Sequence, residues 1–474
     1  MSDRQVDRLT LIAELKALLG SSYVVDDTDA MAPYLTDWRK RFTGSALCVV
    51  RPANTEEVSA VMRLACAHGL SLVPQGGNTG LVGGSVPVGN GHEIVLSLGR
   101  MNRVRDLDPI SDVMVVEAGV TLAAVQEAAL KEGRLFPLSL ASEGTATIGG
   151  AISTNAGGTA VLAYGTMRDL VVGLEVVLAD GRIWNGLGKL KKDNTGYDLK
   201  NLFIGSEGTL GIVTAAVVKL FPEPRSRATA FCGLASAEDA LHFLKLAKAE
   251  AGSELTTFEL IPRLGVEWVV KHFPDTREPL FFQHQWYVLV EFSSLTVDGA
   301  DALAQRLILD AIDKAYLEDS VFAVTLAQRD DFWRLREYMP DAQTREGASI
   351  KHDISVPVDA IPAFIETVVQ DLKALIPDLR PFVFGHLGDG NLHFNVQAPE
   401  GADGSAFLKH ADDVHEIVYR HIAAFHGSIS AEHGIGQVKR ERLAQTKEAV
   451  ALDLMRTIKM ALDPDGRLNP GKVL

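Results

Sequence analysis

Apolar and polar positions along the chain change period several times, and each change marks an element. In "ANTEEVSAVMRLACAHG", Val58, Val61, Met62, Ala65 and Cys66 recur at helical spacing. Asn54 stands where an N-cap belongs, Glu57 completes a capping box three residues on, and Gly69 supplies the stop. "TLAAVQEAALKEG" repeats the helix-then-glycine pattern. "LSLVP" reads as a short strand and "LVVGLEVVLADG" as a hairpin closing on Asp-Gly. The opening "MSDRQVDRLTLIAELKALLG" reads as an amphipathic helix without an apolar signal core. No window approaches the length of a membrane span.

After "FPEPRSRA", residues 221–228, the rhythm changes, and its prolines and charges mark a domain boundary. Beyond it, "AEDALHFLKLAKAEAG", "GADALAQRLILDAIDKAYL" and "PVDAIPAFIETVVQDLKALI" are helices, and "QWYVLVEFSS" is a strand. This mixture predicts an α+β domain with helices on one face of an antiparallel sheet. A mostly helical segment ends the chain in "DPDGRLNPGKVL".

With 474 residues, the chain has room for two or three domains. Its 47% hydrophobic and 23% charged content is ordinary for a globular protein. A net charge of −15 argues against nucleic acid and anionic membranes as partners. A local cationic pocket can still receive an anionic substrate. Cys48, Cys66 and Cys232 have no CxxC spacing and read as reduced thiols in a cytoplasm.

Three glycine-rich segments interrupt the pattern: "PQGGNTGLVGGSVP", "EGTATIGGAISTNAGG" and "IGSEGTLGIV". One such cluster is equally what an ordinary loop carries. Three, each after an apolar segment, point to backbone N–H nests suited to a pyrophosphate. A Rossmann site needs G-x-G-x-x-G opening a helix, and "GGNTGLVGG" has another spacing with no helix after it. A P-loop fails as well, for want of Lys-Ser or Lys-Thr after the glycines.

The second half carries a polar constellation. "FVFGHLGDGNLHFNV" places His393 and Asn395 on one face of a strand, with His386 before a turn that folds it back. "ISAEHGIGQVKR" adds Glu432 and His433. Two histidines and a carboxylate suit a zinc-type site with an open position. Asp389, in "GDGN", reads as a turn residue rather than a ligand. Arg336 and Lys351 are also what a solvated charged face carries, but Lys351, in a β-like run leading towards this segment, reads as a carboxylate anchor.

The order of motifs from "VVRPANTEEVSAVMRLA" through "FIGSEGTLGIVT" resembles the flavin domain of vanillyl-alcohol-oxidase and para-cresol-methylhydroxylase (PCMH) type enzymes. With "KKDNTGYDLKNLFIGSEGTLGI", "GHLGDGNLHFNV" and "SAEHGIG", the whole chain resembles the FAD-dependent D-2-hydroxyacid dehydrogenases, those acting on D-2-hydroxyglutarate above all. The resemblance implies an α+β fold. Residues 1–224 would form a PCMH-type FAD-binding domain of two α+β subdomains. Residues 225–420 would form the substrate domain, and 421–474 a C-terminal segment that packs on the FAD domain and contributes to the active site.

By the same resemblance, Pro74, Gly76, Gly77, Asn78, Thr79 and Gly80 wrap the FAD diphosphate, with Gly83, Gly84 and Ser85 nearby. Gly144, Thr147, Gly149, Asn155, Gly157 and Gly158 line the other side. Ile212 and Val213 meet the adenine half through their backbone. "GGNTG" lacks the histidine that some members bond to the flavin, so FAD is expected to be non-covalent. His386, His393 and Glu432 would hold a divalent metal: zinc, or manganese or cobalt in its place. His433 would be the general base, also touching substrate. Arg336 and Lys351 would hold the distal carboxylate, and Asn395 the near one. Pro340 stands where some hydroxyglutarate enzymes have a threonine, removing one hydroxyl donor.

The expected reaction is oxidation of D-2-hydroxyglutarate to 2-oxoglutarate, with hydride passing to flavin N5 and a proton to His433. Electrons would leave to an external acceptor, an electron-transfer flavoprotein or a quinone-linked carrier. A homodimer is compatible with the pattern. D-lactate, D-malate and glycolate are the alternative substrates within the family. A zinc hydrolase would be colourless, and a non-catalytic flavin carrier would hold FAD that no substrate reduces.

Overall fold

Capping chemistry places the helix Thr55–His68 where the pattern predicts it. Asn54 accepts the Glu57 N–H, and Gly69 ends the helix in the left-handed region at φ 71. Glu57 turns back to the Ala53 N–H at 2.8 Å, one residue before the expected partner. The computed structural model describes residues 8–89 and 91–474. The first seven residues of the predicted opening helix lie outside that range. The rest forms Arg8–Leu19 and buries Leu11, Ile12, Leu15 and Leu19.

Contacts divide the chain into two units. The first runs up to Gly157 and includes Thr166–Pro222 and His433–Leu474. It holds two sheets. One orders Val24–Val25, Cys48–Val50, Glu93–Ser97 and Ser71–Gln75, with Glu93–Ser97 parallel to both of its longer neighbours. The other is antiparallel, in the order Val104–Asp108, Val113–Glu117, Ile212–Lys219, Val171–Val177 and Ile183–Gly186. Its last hairpin is the one read from "LADG". The C-terminal segment returns to the first sheet, where Leu468 pairs with Leu72.

The second unit comprises Gly158–Gly165 and Glu223–Glu432. Its seven-stranded antiparallel sheet runs Asp319–Phe322, Ser226–Leu234, Trp286–Ser294, Leu255–Pro262, Arg380–His386, Asn391–Gln397, Ser349–Ser355. The sequence reading put the ends of this domain at 225 and 420. Here residues 158–165 join it, with Thr257 Oγ1 donating to Thr159 O at 3.2 Å. The unit continues to Glu432 because Ser428 and Ser355 exchange backbone bonds at 2.7 and 3.1 Å.

Helices cover both faces of this sheet, which corrects the expectation of one. The register Glu259↔His386 puts Glu259, Ile261, Phe382 and Phe384 on one face and Phe258 on the other. Trp268, in Arg263–His272, stacks on Phe382 at 4.7 Å. Phe243, in Ala237–Ala251, packs on Phe258 at 5.2 Å. Strands buried on both faces read as continuous apolar runs, and Tyr287 to Val290 are fully buried. No helix of the described residues is long and apolar enough to cross a membrane.

Candidate active site

In the first unit the glycine segments meet each other. A Cβ on Gly76 would lie 2.3 Å from Thr147 Oγ1, and one on Gly77 would lie 2.0 Å from Thr145 O. Only glycine permits that approach. Among the described residues, no backbone N–H from Gly76 to Gly80 donates to a protein acceptor. A run of free donors at the end of Ser71–Gln75 is the anion nest that a diphosphate requires. These residues fit the phosphate part of a dinucleotide.

The side chains around this nest brace the loops. Asn78, at φ 51, donates to Thr36 O at 2.9 Å and accepts from Ser85 Oγ at 2.7 Å. Thr147 caps Ile148–Ser153, and Asn155, at φ 50, accepts the Arg168 N–H. Pro74 lies in the strand, where a Cβ on Gly208 would come within 2.7 Å of its ring. Thr79 and Gly84 are half-buried, Gly83 is buried at φ 69, and Gly144 is exposed. Gly149 donates to Ala118 O. Ile212 and Val213 are buried and pair with Val177 and Val176. Gly157 closes the first unit's opening segment, and Gly158 belongs to the second unit.

In the second unit, strand register gathers the polar constellation on one face. Asp353 opposes His393, which opposes Phe384; Lys351 opposes Asn395, which opposes Phe382. Donor atoms of His386, His393 and Glu432 lie within 4.8 Å of one another. Two imidazoles and a carboxylate at that spread fit a divalent ion. His386 Nε2 lies 3.3 Å from Glu432 Oε1, and its Nδ1 makes a short bond to Glu259. A carboxylate behind a ligating histidine fixes its tautomer and ring orientation. Asp353 Oδ2 accepts the Glu432 N–H at 3.1 Å, bringing that glutamate to the sheet.

Electrostatics separates the two histidines. Burial opposes the charged form of His386, yet Glu259 and Glu432 outweigh it and raise its pKa well above the usual value. Burial, reinforced by Arg336, pushes His393 down to about 4, so its ring is neutral and keeps a lone pair at neutral pH. Burial also works against the Glu259 carboxylate, but His386 and Arg336 hold it at about 2. Asp389 does turn work, accepting the Asn391 N–H at 3.0 Å, and burial pushes it up to about 6.

Helical spacing explains where Arg336 sits. In Leu326–Glu337, residues 329, 333 and 336 share a stripe facing the sheet. Arg329 and Trp333 bond Glu291 at 2.7 and 3.0 Å. One turn on, Arg336 Nε bonds Glu259 Oε2 at 2.7 Å, with its guanidinium 4.7 Å over Phe384. Its two Nη groups find no protein acceptor among the described residues. That leaves a fork free for a carboxylate. Asn395 gives one Nδ2–H to Gln343 Oε1 at 3.0 Å and accepts from His352 N, so one N–H remains. Lys351 is exposed. Pro340 lies in the first turn of Met339–Arg345, where its missing N–H costs no helical bond. His433 follows Glu432 directly and begins the first unit's last segment, half-buried.

Sequence reasoning missed Glu259, Asp353 and Gln343. Glu259 had a signal: it is the lone charge in "LTTFELIP", all of which is buried. A charge in such a run needs a partner. Asp353 follows Lys351 by two residues and so shares its face. Gln343 had no local signal.

Two family models cover most of the chain. The family described as "FAD binding domain" matches residues 46–186, and "FAD linked oxidases, C-terminal domain" matches residues 223–473. The mitochondrial D-2-hydroxyglutarate dehydrogenase of Arabidopsis thaliana is 38% identical over 464 residues, 98% of this chain and 81% of that protein. The D-2-hydroxyglutarate dehydrogenase of Xanthomonas citri pv. viticola is 38% identical over 440 residues, 93% and 92% of the two chains. A D-2-hydroxyglutarate–pyruvate transhydrogenase of Saccharomyces cerevisiae is 36% identical, covering 98% and 94%. Among solved structures, p-cresol methylhydroxylase with substrate bound has a TM-score of 0.76 at 18% identity, covering 99% of this chain and 97% of its own. That likeness shows the PCMH-type fold.

Proposed function

This chain belongs to the FAD-dependent D-2-hydroxyacid dehydrogenase family, and from that premise we propose that it oxidises D-2-hydroxyglutarate to 2-oxoglutarate with the help of a divalent ion. The observation that carries this reading is the His386, His393 and Glu432 donor set, within 4.8 Å, on the sheet face that also presents Arg336. When bound, FAD supplies at N5 the acceptor for the substrate hydride, and the ion, zinc or else manganese or cobalt, supplies the Lewis acid that lowers the hydroxyl pKa.

In this reading the chain's residues do the rest. The N–H groups of Gly76 to Gly80 hold the diphosphate of FAD without a covalent bond. His386, His393 and Glu432 hold the ion. Arg336, with its unused Nη groups, and Lys351 bind the distal carboxylate and offset its charge within an acidic protein. Asn395 gives its remaining N–H to the near carboxylate. His433 takes the hydroxyl proton on an imidazole nitrogen, as a general base. An external acceptor, an electron-transfer flavoprotein or a quinone-linked carrier, completes the turnover. The free thiols Cys48, Cys66 and Cys232 support a reducing compartment, here read as the cytoplasm.

An anaerobic absorbance titration against a panel of D-2-hydroxyacids tests the substrate. D-2-hydroxyglutarate should bleach the flavin band, and chelator-treated protein should bleach far more slowly. Bleaching by D-lactate or D-malate alone would move the assignment within the family. Undiminished reduction in rigorously metal-free protein would remove the ion from the mechanism.

Arg336→Ala tests the distal anchor. A charge-assisted hydrogen bond contributes about 1.5–3 kcal/mol, so kcat/KM for D-2-hydroxyglutarate should fall by about 10- to 150-fold. D-lactate, which lacks the distal carboxylate, should lose much less. An equal loss for both substrates would mean that Arg336 acts only through Glu259.

A further inference from the structure

We propose that Glu207 is a positioning residue whose buried carboxylate fixes the loop after His433 and so aims the imidazole. This inference rests on the reading of His433 as the base. Glu207 lies in "IGSEGTLGIV", a segment so far considered only for FAD, and it is separated from that loop by more than 220 residues. Both belong to the first unit.

The carboxylate spends both oxygens on backbone. Ile435 N–H donates to Oε1 at 2.7 Å and Gly436 N–H to Oε2 at 2.8 Å. These are the second and third residues after His433. The loop is shaped around the carboxylate. Gly434 has φ +79, and a Cβ there would lie 2.7 Å from Glu207 Oε1. Gly436 has φ +50, and its Cβ would lie 2.3 Å from Val82 O. The loop is further tied by Gln437 N–H to Val82 O at 2.9 Å and Val473 N–H to Gly436 O at 3.1 Å.

Glu207 is itself held firmly. It adopts φ 52, which a side-chain-bearing residue seldom does without compensation. Its N–H donates to Ser153 O at 2.8 Å, and Asn469 Nδ2 donates to its carbonyl at 2.7 Å. Ser153 ends the helix that forms within the second glycine segment. A rigid mount with two charge-assisted bonds to one loop is a device for placing what that loop carries. Glutamine keeps the shape but offers one acceptor where two N–H groups converge.

The test is anaerobic, single-turnover flavin reduction by D-2-hydroxyglutarate in FAD-loaded protein, for Glu207→Gln, His433→Ala and the double variant. Glu207→Gln should slow reduction at saturating substrate by about 100-fold, the scale of an ångström of misplacement. The substrate concentration at half-maximal rate should change by less than about twofold, because in the proposed reading Arg336, Lys351 and Asn395 hold the substrate carboxylates. The bound-flavin spectrum should be unchanged. Added to His433→Ala, the same substitution should cost nothing more. A wild-type rate in Glu207→Gln, or the same fractional loss with and without His433, overturns the proposal. A fully active His433→Ala would instead overturn the reading of the base. Should Glu207→Gln fail to fold, Gly434→Ala, which crowds Oε1, takes its place, and a wild-type rate there counts against the proposal equally.

Discussion

His433→Ala is expected to keep its FAD and its metal and to lose about 10²- to 10⁴-fold in the rate of flavin reduction, the usual contribution of a positioned general base. FAD retention follows because the nest from Gly76 to Gly80 is made of backbone N–H groups, which truncating the His433 side chain does not remove. Metal retention follows from the proposed reading, in which His386, His393 and Glu432, and not His433, hold the ion. Stopped-flow absorbance under anaerobic conditions reads the rate, and the flavin spectrum and metal content of the same sample read retention. Free imidazole should restore part of the rate. A variant that loses metal together with activity would make His433 a ligand rather than a base.

Glu259→Ala should be the most damaging substitution in the second unit. Glu259 is fully buried and is the shared partner of His386 and Arg336. Removing it leaves the buried Arg336 guanidinium without its counter-ion and the His386 ring without the carboxylate that orients it, and breaking a buried ion pair costs about 3–5 kcal/mol. The denaturant midpoint should fall accordingly. Metal affinity, measured by competition with a chromophoric chelator, should drop by about 10- to 100-fold, as it does when the group behind a ligating histidine is removed. An unchanged midpoint would show that Arg336 and His386 find other partners. An unchanged affinity would show that the orientation of His386 does not depend on Glu259.

The contrast between these two residues shows what could be read in advance. His433 sits in "SAEHGIG", a run of unusual local composition. Glu259 sits in an ordinary strand, and only its charge sets it apart. Arg336 was legible as a candidate anchor, but its bond to Glu259 was not, because that pairing spans 77 residues. Asn395 was placed correctly on the face of His393 by alternation. Its neighbour Gln343 comes from a separate helix and left no trace in the local pattern.

Elements, caps and turns were set by the sequence alone. Asn54 caps its helix, Gly69 stops it, and Asp180-Gly181 turns its hairpin because each depends on atoms a few residues away. The same locality revealed the glycine segments and the histidine turn. The tertiary structure alone decided which strands lie side by side. Glu259 and His386 are 127 residues apart and meet only because Leu255–Pro262 pairs with Arg380–His386. Covering both faces of the sheet was a collective outcome too. Strand order is a competition among all pairings for burial and hydrogen bonds, and no short window of sequence carries the result of that competition.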